Sequence, residues 1–387
     1  MPAKLVDADP AATGRPCKRC KDSDACIVAR QEPFCRNCFM NYLRTKAVKR
    51  MESYAYTAKN RKTTSERKLL LPVSFGVSST TLVALLHEQL ERQRKRTGRT
   101  PYTLHVLFID TSVVEPGNLE VQRLEQLRNA YPGHEYSSVG LASVYQGDQP
   151  DLTQEFDVSA APEVEDVSMD PKEKLEKLFL SLSSVTARAD LISILRRRLA
   201  VRFAKANNCS DIMWGDSTTN LAARALAETA KGRGFALPWL VADGVSPSGI
   251  AFRYPLQDVY KKELLAYVDM ASSPLKQLIQ PEPAMDVAVS AKNTTIDGLM
   301  RQYFDSVQQE YPGIVANVAR TSSRLEAASS ADEQCRLCQM PVADGRFGIH
   351  GWGGDQDNST NPQGAKLCYG CTRQVSRGTH ILSRRSL

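Results

Sequence analysis

The sequence predicts an α/β domain built on a parallel sheet, with a cysteine-rich metal module at each end. Three observations lead to this prediction. From residue 69 to about residue 270, apolar runs typical of strands alternate with helical patterns. Eight of the ten cysteines fall into four C-x-x-C pairs, two pairs towards each terminus. The chain has 387 residues, of which 42% are hydrophobic and 24% charged, and this is typical of a globular protein with a substantial core.

The predicted strands are short apolar runs, and helical patterns separate them. Leu69–Val73 and Tyr102–Asp110 are two such runs, and His134–Leu141 and Cys209–Asp216 continue the alternation. Strands in such an alternation run parallel, so that their carboxyl ends meet at one edge of the sheet, where ligands bind. We therefore expect any nucleotide site at that edge.

The turn after the first strand, Ser74–Ser79 (SFGVSS), is the candidate phosphate site. A strand, a tight turn and a helix together direct free backbone N–H groups and the positive end of the helix dipole towards an anion. Serine hydroxyls in the turn either cap the helix or bind the same anion. An acid that closes a later strand either grips the nucleotide or simply caps the strand. The candidate nucleotide-binding residues are Ser74, Gly76, Ser78, Ser79, Asp110 and Asp216.

The paired cysteines predict two metal sites. Each set has two short C-x-x-C turns, separated by fourteen residues in the first set and by twenty-nine in the second. Four thiolates favour tetrahedral zinc, with iron as the alternative. The predicted ligands are Cys17, Cys20, Cys35 and Cys38 in the first set, and Cys335, Cys338, Cys368 and Cys371 in the second.

Three further residues with ligand chemistry are not needed for these sites. Cys26 lies between the first two pairs and is either a bystander or a substitute ligand. His350, in a glycine-rich stretch between the last two pairs, is interpreted as structural or exposed. Cys209 begins a predicted buried strand, where a free cysteine is usually inert.

Basic residues are concentrated near the N-terminus. Residues 15–68 contain fifteen Lys or Arg and five Asp or Glu, and residues 39–62 read as a basic helix with interleaved tyrosines. This pattern favours RNA contact, and the alternative is a solvated surface. A second basic run lies in a later helix and faces either RNA phosphates or solvent. The candidate RNA-binding residues are Arg44, Lys46, Lys49, Arg50, Lys59, Arg61, Lys62, Arg196, Arg197 and Arg198.

These features divide the chain into consecutive segments. We expect a disordered tail (1–14), an N-terminal zinc module with its basic helix (15–64), the sheet domain (65–275), a helical connector (276–332), a C-terminal zinc ribbon (333–376) and a basic tail (377–387). An acidic, proline-containing stretch at 146–170 reads as a mobile insertion in the sheet domain. No stretch approaches eighteen uninterrupted apolar residues, so we expect no membrane span and a cytoplasmic location.

Several segments resemble the PP-loop ATP pyrophosphatases, which adenylate tRNA bases before sulfur transfer. Their S-G-G-x-D/S-S loop matches Ser74–Ser79 in the first serine, one glycine and the last serine, whereas Phe75 replaces a glycine. Trp214–Ala222 is similar in layout to a second family segment but lacks its histidine and paired acids. Phe252–Asp258 is similar to the R-P-L-x-D/E segment that begins the family's closing helix. The resemblance implies an adenine nucleotide alpha hydrolase-like fold.

The whole layout, roughly residues 15–375, resembles the degenerate PP-loop subunit of the eukaryotic cytoplasmic tRNA 2-thiolation complex. Residues 39–334 contain a single cysteine, Cys209, and Val185–Arg188 lacks the C-x-x-C that relatives carry there. Active thiolases need such thiols to carry sulfur or to hold an iron–sulfur cluster. The resemblance therefore implies a subunit without catalytic residues, with zinc as its cofactor and with ATP binding in doubt.

The same resemblance implies the partners and the reaction. It implies a heterodimer with an active PP-loop paralogue, acting on the wobble uridine (position 34) of tRNAs for Lys, Glu and Gln. The product would be 5-methoxycarbonylmethyl-2-thiouridine, with sulfur from a thiocarboxylated ubiquitin-related modifier. Two alternatives stay open. One is an active ATP-dependent tRNA sulfurtransferase with Cys209 as its single thiol, and the other is a zinc-dependent protein-interaction adaptor.

Overall fold

The computed structural model describes residues 6–7, 14–52, 67–115, 120–146, 169–182, 184–271, 274–280, 294–327, 333–342 and 367–375. Some sequence predictions lie outside these residues: most of the tail at 1–14, Lys59, Arg61 and Lys62, the acidic stretch from 147 to 168, His350, and the basic tail at 377–387. In the described residues, no helix is both long and apolar enough to cross a bilayer.

The strands are short except in the first half of the sheet domain. In chain order they are β1 (Val6–Asp7), β2 (Ile27–Ala29), β3 (Glu32–Phe34), β4 (Arg67–Val73), β5 (Tyr102–Asp110), β6 (Glu135–Gly140), β7 (Asp211–Met213), β8 (Gly244–Val245), β9 (Ala251–Arg253), β10 (Glu333–Gln334) and β11 (Pro341–Val342).

The helices range from a single turn to six turns. In chain order they are α1 (Arg36–Arg50), α2 (Val77–Thr97), α3 (Glu120–Ala130), α4 (Pro171–Ser181), α5 (Val185–Ala206), α6 (Thr218–Ala230), α7 (Leu237–Leu240), α8 (Lys261–Met270), α9 (Leu275–Leu278), α10 (Ile296–Glu310), α11 (Pro312–Ser322) and α12 (Tyr369–Val375). Short 3-10 helices occupy Leu141–Tyr145 and Gly234–Ala236.

A six-stranded sheet forms the centre of the molecule, with the strand order β6-β5-β4-β7-β9-β8. The first five strands in this order are parallel, and the edge strand β8 runs antiparallel to β9. Leu69, Leu70 and Leu71 of β4 are consecutive and fully buried, so the strand is covered on both faces, as parallel strands generally are. The predicted α/β class with a mostly parallel sheet is confirmed.

Helices pack around this sheet and connect it to the terminal modules. Both α2 and α5 contact β4, and α2 also packs against α8 and α1. The antiparallel strands β1, β2 and β3 precede α1 and complete the N-terminal module. The helices α10 and α11 pack on α6, and β10 pairs with β11 in the C-terminal module.

Three element boundaries differ from the sequence prediction. The helix after the candidate phosphate turn begins at Val77, so Ser78 and Ser79 belong to its first turn and not to the loop. The strand predicted at 209–216 is limited to Asp211–Met213, so Asp216 lies beyond its end. The basic helix ends at Arg50, and the described residues stop two positions later.

Candidate functional site

The cysteines predicted as ligands converge in two groups. In each group the four Sγ atoms lie within 4.8 Å of one another: one group is Cys17, Cys20, Cys35 and Cys38, and the other is Cys335, Cys338, Cys368 and Cys371. Cys26 is exposed and does not belong to the first group.

Both groups are built by the same local geometry. The residue after the first pair, Lys21 or Gln339, has a left-handed backbone with φ of 61° or 60°. Its N–H donates to the carbonyl of the first cysteine, Cys17 (2.9 Å) or Cys335 (2.8 Å), which closes the turn. The second pair lies in both cases at the start of a helix, α1 or α12. A tight turn and a helix start thus present four thiols to one point.

The spacing of the thiols fits a tetrahedral metal. Zinc–sulfur bonds of about 2.3 Å place the sulfurs of a tetrahedral site about 3.8 Å apart. The Cys20–Cys35 and Cys338–Cys368 Sγ distances are both 3.8 Å. A disulfide needs about 2.05 Å between sulfurs, so neither pair is bonded in this way. Each group of four cysteines could therefore hold a metal ion, whose bonds would lock a module too small for a core of its own.

The C-terminal module is joined to the sheet domain by a buried cluster of charges. Lys231 Nζ donates to Asp190 (2.7 Å), and Arg233 Nε donates to Glu228 (2.7 Å). The Arg233 guanidinium also donates a hydrogen bond to Asp190. The same carboxylate accepts a hydrogen bond from the Gln374 side-chain amide of α12. Burial alone would raise the pKa of Glu228, but the charges of Arg233 and Lys231 hold this pKa below its usual range.

The backbones of α12 and of the residues after α6 also approach each other closely at this junction. A Cβ on Gly370 would lie 2.5 Å from the Lys231 carbonyl oxygen, so that only glycine fits between α12 and the end of α6. Arg198 donates to the carbonyls of Arg336 and Leu337, both at 3.2 Å. The sequence pattern carries no sign of this junction, because its partners are far apart along the chain.

The candidate phosphate loop contains a residue with a left-handed backbone whose side chain is buried. Phe75 has φ = +55°, a left-handed conformation that glycine adopts without strain. Its ring is fully buried and packs on Phe108, with the centroids 5.3 Å apart. The Phe75 side chain therefore belongs to the hydrophobic core.

The rest of the loop is held by its own groups and by neighbouring segments. Ser79 Oγ accepts from the backbone N–H of Ser74 (3.2 Å) and lies 3.3 Å from Ser74 Oγ. A Cβ on Gly215 would lie 2.6 Å from Ser79 Cα, which brings the end of β7 against the loop. The Phe75 carbonyl accepts from the backbone N–H of Gln280 at 2.8 Å. The structure thus brings Ser74, Gly76 and Ser79 together.

The two aspartates at this edge have partners within the chain. Asp110 Oδ1 accepts from the backbone N–H of Ser112 at 2.8 Å, which is a local turn bond. Asp216 receives two hydrogen bonds from the guanidinium of Arg224, a residue that the sequence interpretation missed. Ser78 Oγ is buried and lacks a hydrogen-bond partner in the described part of the chain.

Seven of the ten basic residues predicted to bind RNA lie in the described part of the chain, and five of these seven contact the protein itself. Arg44 Nε donates to Glu88 (3.1 Å), Lys46 to the Asp258 carbonyl (3.1 Å) and Arg50 Nε to Asp258 Oδ2 (2.8 Å). Lys49 of the same helix is exposed. In the second run, Arg196 donates to Thr111 (3.0 Å), Arg197 is half-buried, and Arg198 binds the C-terminal module.

Cys209 is the single thiol between the two cysteine modules, and its surroundings disfavour the thiolate. It is 7% exposed, and burial raises its pKa to about 11. A thiol is nucleophilic only when it is deprotonated, so at neutral pH nearly all of this residue is unreactive.

The chain is similar to known proteins over nearly its whole length. The family model for cytoplasmic tRNA 2-thiolation protein 2 matches residues 295–348, which contain α10, α11 and the third cysteine pair. Two proteins of that name, from Phaeosphaeria nodorum and Pyrenophora tritici-repentis, are each 46% identical to this chain. The first alignment covers 99% of this chain and 100% of the relative, and the second covers 98% of each.

A solved structure resembles the fold. It is the U34-tRNA thiolase NcsA from Methanococcus maripaludis with its [4Fe-4S] cluster. The TM-score is 0.54 at 16% identity, over 84% of this chain and 92% of the other. At this identity the likeness bears on the fold, and it confirms the predicted PP-loop architecture.

Proposed function

The chain belongs to the cytoplasmic tRNA 2-thiolation protein 2 family, and on that premise we propose that it is a non-catalytic subunit for 2-thiolation of the wobble uridine of cytoplasmic tRNAs. It binds tRNA and supports an active PP-loop paralogue in a heterodimer. The substrates are uridine 34 of tRNAs for Lys, Glu and Gln, and the product is 5-methoxycarbonylmethyl-2-thiouridine. The sulfur comes from a thiocarboxylated ubiquitin-related modifier through the complex.

The observation that carries the proposal is the loop at the end of β4. Phosphate binding there needs backbone N–H groups that a ligand can approach closely, and glycines usually provide this access. Here Phe75 stands in the left-handed position with its ring in the core, and Gln280 is bonded to its carbonyl. Asp216 is paired with Arg224. These contacts support a loop that stabilises the fold and does not turn over ATP.

The distribution of thiols supports the same proposal. Sulfur transfer by persulfide or by an iron–sulfur cluster requires accessible thiolates near the substrate. The eight clustered thiols converge in two groups whose spacing fits structural metal, and Cys209 is buried with a raised pKa. We propose zinc in both groups, because four thiolates in a tetrahedron favour it.

The experiment is a thiolation assay on tRNA with this chain alone, the catalytic paralogue alone, and the two co-expressed. We expect activity from the pair only, and we expect it to survive Gly76→Trp and Cys209→Ser in this chain. Gly76 has φ = −71°, and the nearest atom to an added Cβ is 3.5 Å away, so a larger side chain at this position is compatible with the backbone.

Two results would decide for the alternatives. Thiolation by this chain alone, or loss of activity in an intact Gly76→Trp pair, would show an active sulfurtransferase. No salt-dependent binding of tRNA by the chain or by the pair would favour the zinc-dependent adaptor, because binding to a polyanion weakens as salt rises. A Cys17→Ser variant tests the metal module separately, and we expect it to lower the yield of the folded pair.

A further inference from the structure

A polar groove opens between the N-terminal module, the start of α6 and the helix α11. It has a volume of about 380 Å³. Its charged lining residues are Arg30, Arg50, Asp243, Asp258, Arg320 and Arg324. None of the residues predicted to bind nucleotide lines the groove.

Two of the four arginines have carboxylate partners. Arg30 donates to both oxygens of Glu263, at 2.7 and 3.0 Å, and its guanidinium lies 4.7 Å from the centroid of the Tyr260 ring. Arg50 Nε donates to Asp258 Oδ2 at 2.8 Å. These pairs fix one wall of the groove, and they hold its arginines in a defined orientation.

The opposite wall carries the other two arginines. Arg320 lies in the last turn of α11 and Arg324 in the turn that follows, and both side chains are exposed. No ion pair involves either of them among the described residues, whereas Arg30 and Arg50 are paired. The groove therefore has positive charge that the protein itself does not neutralise.

We propose that this groove binds the sugar–phosphate backbone of RNA, with Arg320 and Arg324 as the phosphate contacts. The planar guanidinium suits phosphate oxygens because it offers two parallel hydrogen bonds. The inference rests on the proposed function. It places the phosphate contacts on α11 and the turn after it, and not on the basic run in α1, whose Arg44, Lys46 and Arg50 form hydrogen bonds within the protein.

The acids of the groove favour RNA over a small anion. Asp258 keeps 54% of its side chain exposed and offers carboxylate oxygen as an acceptor. An RNA strand presents both phosphates for the arginines and 2′-hydroxyl donors for such an acceptor. Inorganic phosphate at neutral pH would meet the repulsion of the aspartates and gain little from them.

The experiment compares Arg320→Gln/Arg324→Gln with Arg92→Gln/Arg96→Gln in the full chain. The control removes the same charge with the same spacing from the exposed face of α2. Fluorescence anisotropy with a labelled tRNA transcript is measured across a range of salt concentrations. We expect the groove variant to bind roughly tenfold more weakly, with the slope of log K against log salt smaller by about 1.5, since each phosphate contact contributes about 0.7 to 0.9. We expect the control to change affinity less than about twofold.

The outcomes separate the groove from the proposed function. If the groove variant binds like the control while the wild type binds with salt dependence, the groove assignment is overturned and the proposed function stands. If neither the wild-type chain nor its pair with the catalytic paralogue binds tRNA, both are overturned. Thermal stabilisation by millimolar inorganic phosphate that is lost in the groove variant, with unchanged tRNA affinity, would identify a small-anion site and would also overturn the proposal. Urea unfolding midpoints equal to wild type confirm that the variants are folded.

Discussion

The guanidinium of Arg224 donates to both carboxylate oxygens of Asp216, over 2.8 and 3.0 Å. The pair is largely buried, with 27% of the arginine side chain and 13% of the aspartate side chain exposed. Arg224 also donates to the Leu240 carbonyl at 3.4 Å. The acid that follows β7 by three residues therefore links this edge of the sheet to α6.

This pair predicts non-additive stability. Asp216→Asn and Arg224→Met should each lower the free energy of unfolding by about 2 kcal/mol, because each leaves the other partner without its counter-charge. The double variant should lose about 1 to 2 kcal/mol less than the sum. Urea unfolding of the four proteins measures this coupling. Simple additivity would show that the two side chains do not stabilise each other.

The left-handed backbone of Phe75 predicts that a glycine variant is more stable than an alanine variant at this position. Phe75→Ala removes the buried ring and should cost about 3 to 4 kcal/mol, while the strained left-handed backbone remains. Phe75→Gly creates the same cavity but relieves that strain, so we expect it to be about 1 kcal/mol more stable than the alanine variant. The free energies of unfolding in urea give the comparison. An alanine variant more stable than the glycine variant would contradict the φ of +55°.

The proposal of one metal ion in each cysteine group predicts specific metal contents. The wild-type chain should contain two metal ions, and Cys17→Ser and Cys335→Ser should each retain one, measured by inductively coupled plasma mass spectrometry of the purified protein. Cys26→Ser is the matched control and should retain both, because its thiol lies outside the four-sulfur group. A cluster in either site would instead give iron and acid-labile sulfide.

The close contact between α12 and the end of α6 predicts that one added methyl group at Gly370 strongly destabilises the fold. Gly370→Ala would place Cβ 2.5 Å from the Lys231 carbonyl oxygen and 2.8 Å from Arg233 Cγ, so we expect a loss of about 3 kcal/mol or more. Gly313→Ala is the control, because it lies in α11 with no atom within 4 Å of the added Cβ. It should stabilise the protein by about 0.5 to 1 kcal/mol. Thermal unfolding distinguishes the two, and similar melting temperatures would contradict the close approach.

A histidine pair predicts sensitivity to acid. His134 Nε2 lies 3.0 Å from His87 Nδ1, and burial together with His87 lowers the pKa of His134 to about 4. The unfolded chain binds a proton near the ordinary pKa of 6.5, whereas the folded chain does so only near 4. Stability from this residue is therefore complete above pH 6.5 and is lost as the pH falls from there to about 4. We expect His134→Gln to flatten the fall in melting temperature between about pH 6.5 and about pH 4.5, and an unchanged pH profile would refute this.

Local sequence patterns were sufficient for the fold class and for the two groups of four cysteines. A C-x-x-C turn is a contact between near neighbours, and two such turns can meet at a metal without information from the rest of the chain. The alternation around Leu69–Val73 and Tyr102–Asp110 likewise predicts parallel strands, because burial on both faces leaves continuous apolar runs.

Long-range charge pairing could not be predicted in the same way. Arg50 and Asp258 lie 208 residues apart, and Arg44 and Glu88 lie 44 apart. A basic helix looks the same in sequence whether its cations face RNA or another helix. For Phe75 the signal was present, because a phenylalanine at a glycine position must find space in the core, but the sequence could not show where its ring would pack.

The helix α12 packs beside Gly232 and Asp190, and these contacts can form only after α12 has been synthesised. Proteins are synthesised from the N-terminus, and the segments that leave the ribosome first begin to fold first. Asp190, Glu228 and Arg233 are synthesised more than a hundred residues before the segment 367–375. Until Gln374 and the last cysteine pair arrive, one side of this charged cluster has no cover. The segment 367–375 therefore covers this cluster only after the rest of the sheet domain has been made, and a nascent chain that stops at residue 342 would leave that side of the cluster exposed to water.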